Sequence, residues 1–134
     1  MSEHGQHPSA VLTFRSSHDF DTTIARLKTA LERVGAVVFA DVDQREAAEL
    51  AGLTLRRTRL ILFGNPKAGT PVMAANPHAA LELPLRLVIW EDDAGHATVD
   101  YLDVTQTLGP HYAIAPDLLA PLQRVAALLQ AAVQ

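Results

Sequence analysis

One glycine-containing segment carries the pattern that most suggests chemistry. Residues Gly64 to Thr70 read G-x-x-x-x-G-T and follow a short apolar run. The phosphate-binding loop of nucleotide hydrolases reads G-x-x-x-x-G-K-[ST], and its lysine reaches the terminal phosphates. Here Thr70 stands at the lysine position, and Pro66 removes a backbone N–H from the middle of the segment. The sequence therefore argues against nucleotide hydrolysis.

The same segment could still hold a smaller group. Thr70 is a predicted N-cap and Pro71 a predicted first helical residue, which would leave free N–H groups pointing into the loop beside Lys67. That arrangement suits a carboxylate or a single phosphate. The alternative is a loop whose two glycines make tight turns and whose lysine is solvated, since most helix N-termini hold no ligand. The sequence leaves both interpretations open.

The other reactive side chains form no recognisable motif. None of the six histidines is four residues from another, so the usual helical pair of metal ligands is missing, and we predict no metal site and no cofactor. The chain has no cysteine nucleophile and no G-x-S-x-G elbow. An acid–base role remains open for Asp103 with His111.

Composition excludes several classes of protein. The 134 residues allow one domain, predicted over residues 9–134 after a loose tail at 1–8. With 11 basic and 15 acidic residues, a net charge of −4 and no basic stripe with aromatics, we predict no nucleic-acid binding. No run approaches the roughly 20 apolar residues that a membrane span needs. The absence of cysteine and of an apolar leader predicts a cytoplasmic protein.

Hydrophobic spacing predicts the elements that position these residues, in the order β-α-β-α-β-α-β-β-α. The third strand, at 59–63, contains an apolar run after Arg59, which predicts burial on both faces. Ser17 is the predicted N-cap of the first helix and Gly35 its end. The apolar stripe of this helix recurs at spacings of four and three, at Phe20, Ile24, Leu27, Leu31 and Val34.

The last two strands form a predicted hairpin around residues 93–95. A three-residue loop with Gly95 in the left-handed conformation places Ile89 opposite Val99 and collects the charges on the other face. A two-residue loop would place Ile89 opposite Asp100, so we reject it. Because a hairpin requires antiparallel pairing, we predict an α+β domain with a mixed or antiparallel sheet and helices packed on one face.

The final helix is predicted to begin at Pro121, because proline is tolerated in a first helical turn but not deep inside a helix. Its leucines and valines cover about half of its circumference. Apolar residues make up 49% of the chain, more than a small core needs. Both observations favour an apolar surface that is buried in an oligomer.

A further pattern lies in four stretches: 16–20 with Thr23, 62–71 with Met73, 83–85 with 90–92, and Tyr101 and Asp103 followed by His111. Together they resemble the domain of unknown function 302 family, over about residues 11–111. The most specific is the Gly-Asn-Pro motif at Gly64, Asn65 and Pro66. The resemblance implies a small α+β fold and a homodimer, and it implies no reaction. This chain departs from the family pattern at Gln44, where histidine is common, and at Leu102, where asparagine is usual, so a family site that used the histidine would be lost or altered.

These observations support three hypotheses. The leading one is a homodimeric domain that binds a small ligand, for example an anionic one, in a cleft. The second is an enzyme that uses Asp103 and His111 as a base and its orienting group, with the substrate held by Lys67. The third is a module whose role is its oligomeric interface. The candidate ligand-binding residues of the first are Asn65, Pro66, Lys67, Gly69, Thr70, Tyr101, Asp103 and His111.

Overall fold

One five-stranded antiparallel sheet, in the order β1-β5-β4-β3-β2, organises the chain. The computed structural model describes residues 10–134, so the predicted tail lies outside the described residues. The strands are β1 (Val11–Arg15), β2 (Val37–Asp43), β3 (Thr58–Gly64), β4 (Leu85–Glu91) and β5 (Ala97–Leu102). The helices are α1 (Phe20–Arg33), α2 (Gln44–Leu50), α3 (Pro66–Ala75), α4 (Thr105–Tyr112), α5 (Pro116–Gln123) and α6 (Val125–Ala132), with a 3₁₀ helix at Pro77–Glu82.

The α+β class and the hairpin register are confirmed. Every strand pair is antiparallel. Ile89 lies opposite Val99 in the β4–β5 pair, and Gly95 has a φ of 84°. Alternation of apolar and polar residues determined this register, because a shift by one residue would turn the whole apolar set of a strand towards the other face.

The core lies on one face of the sheet. Buried side chains of β3, β4 and β5 point to the same side and pack against α1 and the helices that follow β3. On the other face of β3, Leu60 and Leu62 are half-buried, as is Val88 of β4. The prediction that the third strand is buried on both faces is therefore wrong, because the helices with buried side chains cover only one side.

Helix α1 confirms the predicted apolar stripe but not the predicted cap. Its first turn is capped by Asp19, whose Oδ1 accepts a hydrogen bond of 2.8 Å from the backbone N–H of Thr22. Ser17 lies outside the cap, and Gly35 ends the helix with a φ of 80°, as predicted. Val34 at the end of the stripe is 50% exposed.

The start of helix α3 differs from the prediction. Helix α3 begins at Pro66, so Thr70 and Pro71 lie inside it. Asparagine is at least as good an N-cap as threonine, and proline is favoured in the first helical turn at either position. The pair Asn65 and Pro66 comes first along the chain and starts the helix.

The last predicted helix is two helices. Pro121 lies inside α5, which begins at Pro116 and ends two residues after Pro121. The chain then turns at Arg124 and continues as α6. The prediction that a helix begins at Pro121 is therefore wrong. Proline loses its N–H and crowds the turn before it, and Pro121 lies only five residues after the start of α5, so the cost falls on a single turn. Side chains of the predicted apolar arc are buried in the core, among them Leu122, Leu129 and Val133. This arc is therefore not an open interaction surface.

Candidate functional site

Asn65 connects two helices. Its Oδ1 accepts a hydrogen bond of 3.0 Å from the backbone N–H of Lys67, which caps α3. Its Nδ2 donates a hydrogen bond of 3.2 Å to the carbonyl oxygen of Val34, at the end of α1. Both ends of the side-chain amide are therefore committed to the fold. The asparagine of the Gly-Asn-Pro motif fixes the position of the loop and leaves little capacity for a ligand.

A second Asn-Pro pair repeats this arrangement eleven residues later. Oδ1 of Asn76 accepts a hydrogen bond of 3.0 Å from the backbone N–H of His78, at the start of the 3₁₀ helix. Nδ2 of Asn76 donates a hydrogen bond of 3.0 Å to the carbonyl oxygen of Tyr112, at the end of α4. In both places the asparagine caps one helix and holds the end of another.

A cavity of about 320 Å³ lies beside the Gly-Asn-Pro loop, and we call it the Gly69 cavity. Four of the predicted residues, Asn65, Pro66, Gly69 and Thr70, line it. Thr70 adds a hydroxyl to its wall. The remaining wall is almost entirely apolar and was not predicted from the sequence. It consists of Phe39, Gly64, Met73, Leu83, Pro84, Leu85 and Leu122.

The apolar wall residues come from separate parts of the chain. Met73 lies four residues after Gly69 in α3, a spacing that would have placed both on one helical face had the helix start been predicted correctly. Phe39 lies at an irregularity in the pairing of β2 with β3. Leu122 arrives from α5 and carries no local signal of its role.

The two glycines of this wall are not required by the backbone. Neither Gly64 nor Gly69 has a positive φ, unlike Gly35. A Cβ added to Gly69 would lie 3.8 Å from Cδ1 of Leu83, and one added to Gly64 would lie 3.6 Å from Cε2 of Phe39. Both distances are ordinary van der Waals contacts. The interpretation that these glycines make tight turns is therefore wrong, and their effect is to leave space.

Lys67 does not line the cavity, although it lies in the motif. Its side chain is exposed in the first turn of α3. No hydrogen bond or ion pair of its ammonium group is formed with any of residues 10–134. A substrate in the Gly69 cavity would therefore not be held by this lysine in the arrangement that the structure has.

The three candidates from the C-terminal half lie outside the cavity. Tyr101 is fully buried in the core, where its ring lies 6.3 Å from that of Phe63. Its hydroxyl has no hydrogen-bond partner in the described part of the chain. Burial raises the pKa of this phenol, and the negative charge of Asp103 raises it further. This phenol is therefore neutral at ordinary pH.

Asp103 and His111 are not brought together. Oδ1 of Asp103 accepts hydrogen bonds from the backbone N–H (3.1 Å) and the hydroxyl (2.6 Å) of Thr105, so the carboxylate is bonded to the first residue of α4. His111 is exposed in the last turn of the same helix. Six residues of helix between Thr105 and His111 correspond to about 9 Å of rise. Within residues 10–134, no hydrogen bond or ion pair joins the imidazole to the carboxylate.

A family profile described as "Domain of unknown function DUF302" matches residues 12–134, nearly the whole chain. The chain belongs to the DUF302 family. A crystal structure of an uncharacterized conserved DUF302 protein from Bacillus stearothermophilus has the same fold, with a TM-score of 0.78 and 21% sequence identity. That similarity covers 94% of this chain and 97% of the other.

Longer proteins contain a stretch similar to this DUF302 chain. A protein of Brucella suis biovar 1 (strain 1330) named fluoride-specific ion channel FluC 1 is 40% identical over 87 residues, which is 65% of this chain and 34% of that protein. A protein of the same name from Brucella abortus biovar 1 (strain 9-941) matches equally over 32% of its length. The chain therefore matches about a third of these relatives. Among residues 10–134, no helix is long and apolar enough to cross a membrane.

Proposed function

We propose that the chain binds a small, mainly apolar ligand in the Gly69 cavity. The observation that carries this proposal is the pair of glycines in the cavity wall, Gly64 and Gly69, which neither a positive φ nor a steric clash requires. The volume of about 320 Å³ is at the lower end of the range for small-molecule sites. A concave, apolar site with few polar groups is the usual form of such pockets.

The energetic cost of Gly69 supports a role for the space it leaves. A glycine inside a helix destabilises the fold by about 0.5–1 kcal/mol relative to alanine. At Gly69 alanine would fit without a close contact. Gly69 therefore lowers the stability of the helix, although neither its backbone conformation nor its neighbours require a glycine. An open cavity accounts for that cost.

The test uses N-phenyl-1-naphthylamine, a neutral dye whose fluorescence rises in apolar surroundings. We expect the wild-type protein to bind the dye and Gly69→Leu to abolish binding, because the leucine side chain projects into the cavity and leaves too little of its volume for the dye. Gly69→Ala is the matched control and should retain most of the affinity. Equal binding by wild type and Gly69→Leu would contradict the proposal. Native mass spectrometry of protein purified without added ligand then searches for a natural occupant of the same site.

The chain is also proposed to form a homodimer through the uncovered face of its sheet. Leu60, Leu62 and Val88 are half-buried there, and Val42 is 37% exposed. Contiguous apolar patches of this kind are typical of protein–protein interfaces. The resemblance to DUF302 proteins implies the same assembly.

The similarity to fluoride channels supports a second candidate function, an accessory role beside such a channel. The matching stretch is about a third of each relative, which leaves about two thirds of each channel protein outside the match. In the test, a fluoride-sensitive bacterial strain expresses the full Brucella suis protein or a variant without the matching 87 residues. We expect weaker fluoride resistance without the stretch and recovery when this chain replaces it. Unchanged resistance without the stretch would contradict the proposal.

A further inference from the structure

A second cavity adjoins the Gly69 cavity. It has a volume of about 410 Å³, and we call it the Arg124 cavity. The two cavities share part of their walls, namely Gly64, Asn65, Leu85 and Leu122. The rest of the second wall is also mainly apolar, with Leu31, Phe63 and Leu128 among its residues. The two apolar spaces are thus adjacent, and part of the Gly-Asn-Pro loop and two leucines line both of them.

Arg124 supplies the one charge among the described residues that line these cavities. It lies at the turn between α5 and α6, where it is exposed. Its guanidinium group forms no hydrogen bond or ion pair with other residues of the described range 10–134. No aspartate or glutamate lines either space. A cation without a protein partner at the edge of an apolar cavity is complementary to an anionic group attached to an apolar body.

The polar groups of the Gly-Asn-Pro loop are already satisfied, and the hydroxyl of Thr70 carries no charge. Both ends of the Asn65 amide are hydrogen-bonded to the backbone of Lys67 and Val34. The backbone N–H groups of Ala68 and Gly69 donate to the carbonyl oxygen of Asn65. The loop therefore offers little to an anionic group, and Arg124 is the remaining candidate.

We infer that the two cavities hold one single-chain amphiphile, with its aliphatic chain in the Gly69 cavity and its anionic head group beside Arg124. This inference rests on the proposed function and names the class of its ligand. The shared wall favours one molecule over two. At Gly64 that wall carries no side chain, and a Cβ there would extend towards Phe39. Each CH₂ group buried in an apolar site strengthens binding, so a chain of moderate length suffices.

The experiment measures displacement of N-phenyl-1-naphthylamine by decanoate and by decanol, which share a ten-carbon chain and differ in charge. For Arg124→Gln we expect about a fivefold loss of decanoate affinity, the size typical of an exposed charge pair, and no change for decanol. Arg124→Lys should restore decanoate affinity to within about twofold of wild type, because the charge is kept. The matched control is Arg86→Gln, which changes an exposed arginine on β4 outside both cavities.

Two results separate failure of this inference from failure of the proposed function. If Gly69→Leu abolishes displacement but Arg124→Gln leaves decanoate affinity unchanged, the cavity binds an apolar chain and the charged head group is wrong. If the wild type binds neither dye nor decanoate, both proposals are wrong. A second measurement is cosedimentation of the protein with phosphatidylglycerol vesicles. Binding to vesicles without binding of decanoate would indicate that the protein recognises a membrane surface, and it would overturn the inference of a free amphiphile as ligand.

Discussion

At the scale of single residues, the Gly-Asn-Pro motif combines two physical roles. Gly64 leaves space in the wall of the Gly69 cavity, whereas Asn65 holds the loop by bonding to both Lys67 and Val34. Asn65, whose side chain could bind a ligand, is thus structural, whereas Gly64, which has no side chain, shapes the site. Substitutions at Asn65 can therefore separate the contribution of the α3 cap from that of the hydrogen bond to Val34.

Asn65→Ala removes the cap of α3 and the hydrogen bond to Val34 together. We expect a fall in the free energy of unfolding of about 1–3 kcal/mol, measured by urea denaturation. Asn65→Ser keeps a capping oxygen and loses the donor to Val34 without adding a charge, so its loss should be smaller. Equal losses for the two variants would show that the cap contributes nothing.

Asp41 gives a prediction about acid stability. Its Oδ1 accepts a hydrogen bond of 2.7 Å from Nε of Arg59, and its Oδ2 accepts one of 2.5 Å from Nζ of Lys28. The Arg59 hydrogen bond is the largest cause that holds the pKa of this carboxyl below its usual value, and Lys28 adds to it. Because the pKa is lower in the folded state, the ionised carboxylate stabilises the fold at pH values above the unfolded pKa, which is near 3.9. This contribution is lost as the pH falls through the pKa of the folded state.

Asp41→Asn should therefore lower the free energy of unfolding by about 1–2 kcal/mol at pH 7, with the difference from wild type shrinking below about pH 4. Urea denaturation across pH 2–7 measures it. Asp93→Asn is the control, since Asp93 pairs with Arg56 at a side chain that is 95% exposed, and it should have almost no effect. A difference for Asp41→Asn that persists unchanged at low pH would contradict the ionic origin.

At the scale of elements, the start of α3 determines what the motif can do. With Asn65 as the cap, Gly69 and Thr70 lie on the helix rather than in a loop before it. Their side of the helix faces Leu83 and the rest of the cavity wall. The site is therefore built from a helix face and not from a loop of free N–H groups around an anion.

Two glycine substitutions should have opposite effects. Gly69→Ala should raise the free energy of unfolding by about 0.5–1 kcal/mol, because alanine favours the helix and fits there. Gly35→Ala should lower it by about 1–2 kcal/mol, because Gly35 has a φ of 80° that L-residues rarely adopt. Thermal unfolding followed by circular dichroism measures both. A loss of stability in Gly69→Ala would mean that the cavity wall is tighter than its distances indicate.

At the scale of the whole molecule, the sheet has one covered and one uncovered face. The covered face packs against the helices, while the uncovered one carries apolar residues of β2, β3 and β4 beside polar residues of β1 and β5. On β5, Asp100 accepts hydrogen bonds from Nε1 of Trp90 (2.9 Å) and from the hydroxyl of Thr13 (2.6 Å). The apolar half of this face is the proposed contact between two copies.

Leu62→Lys should convert the proposed dimer into a monomer, because a charge in the centre of an apolar contact is costly to bury. Sedimentation equilibrium at micromolar concentration measures the mass. Leu81→Lys is the matched control, since Leu81 is 79% exposed on the 3₁₀ helix, and its mass should equal that of wild type. A monomeric wild-type protein would contradict the proposed interface.

The sequence by itself determined the stripe of α1 and the register of the β4–β5 hairpin, because periodicity and loop length depend on neighbours along the chain. It could not choose between Asn65 and Thr70 as the cap of α3, since a proline follows each of them. Only the tertiary structure decided that Phe39 and Leu122 line the same cavity as Gly69, and that one face of β3 is only half-buried. A cavity is the volume left between elements that are distant in sequence, and no local pattern records how closely such elements pack.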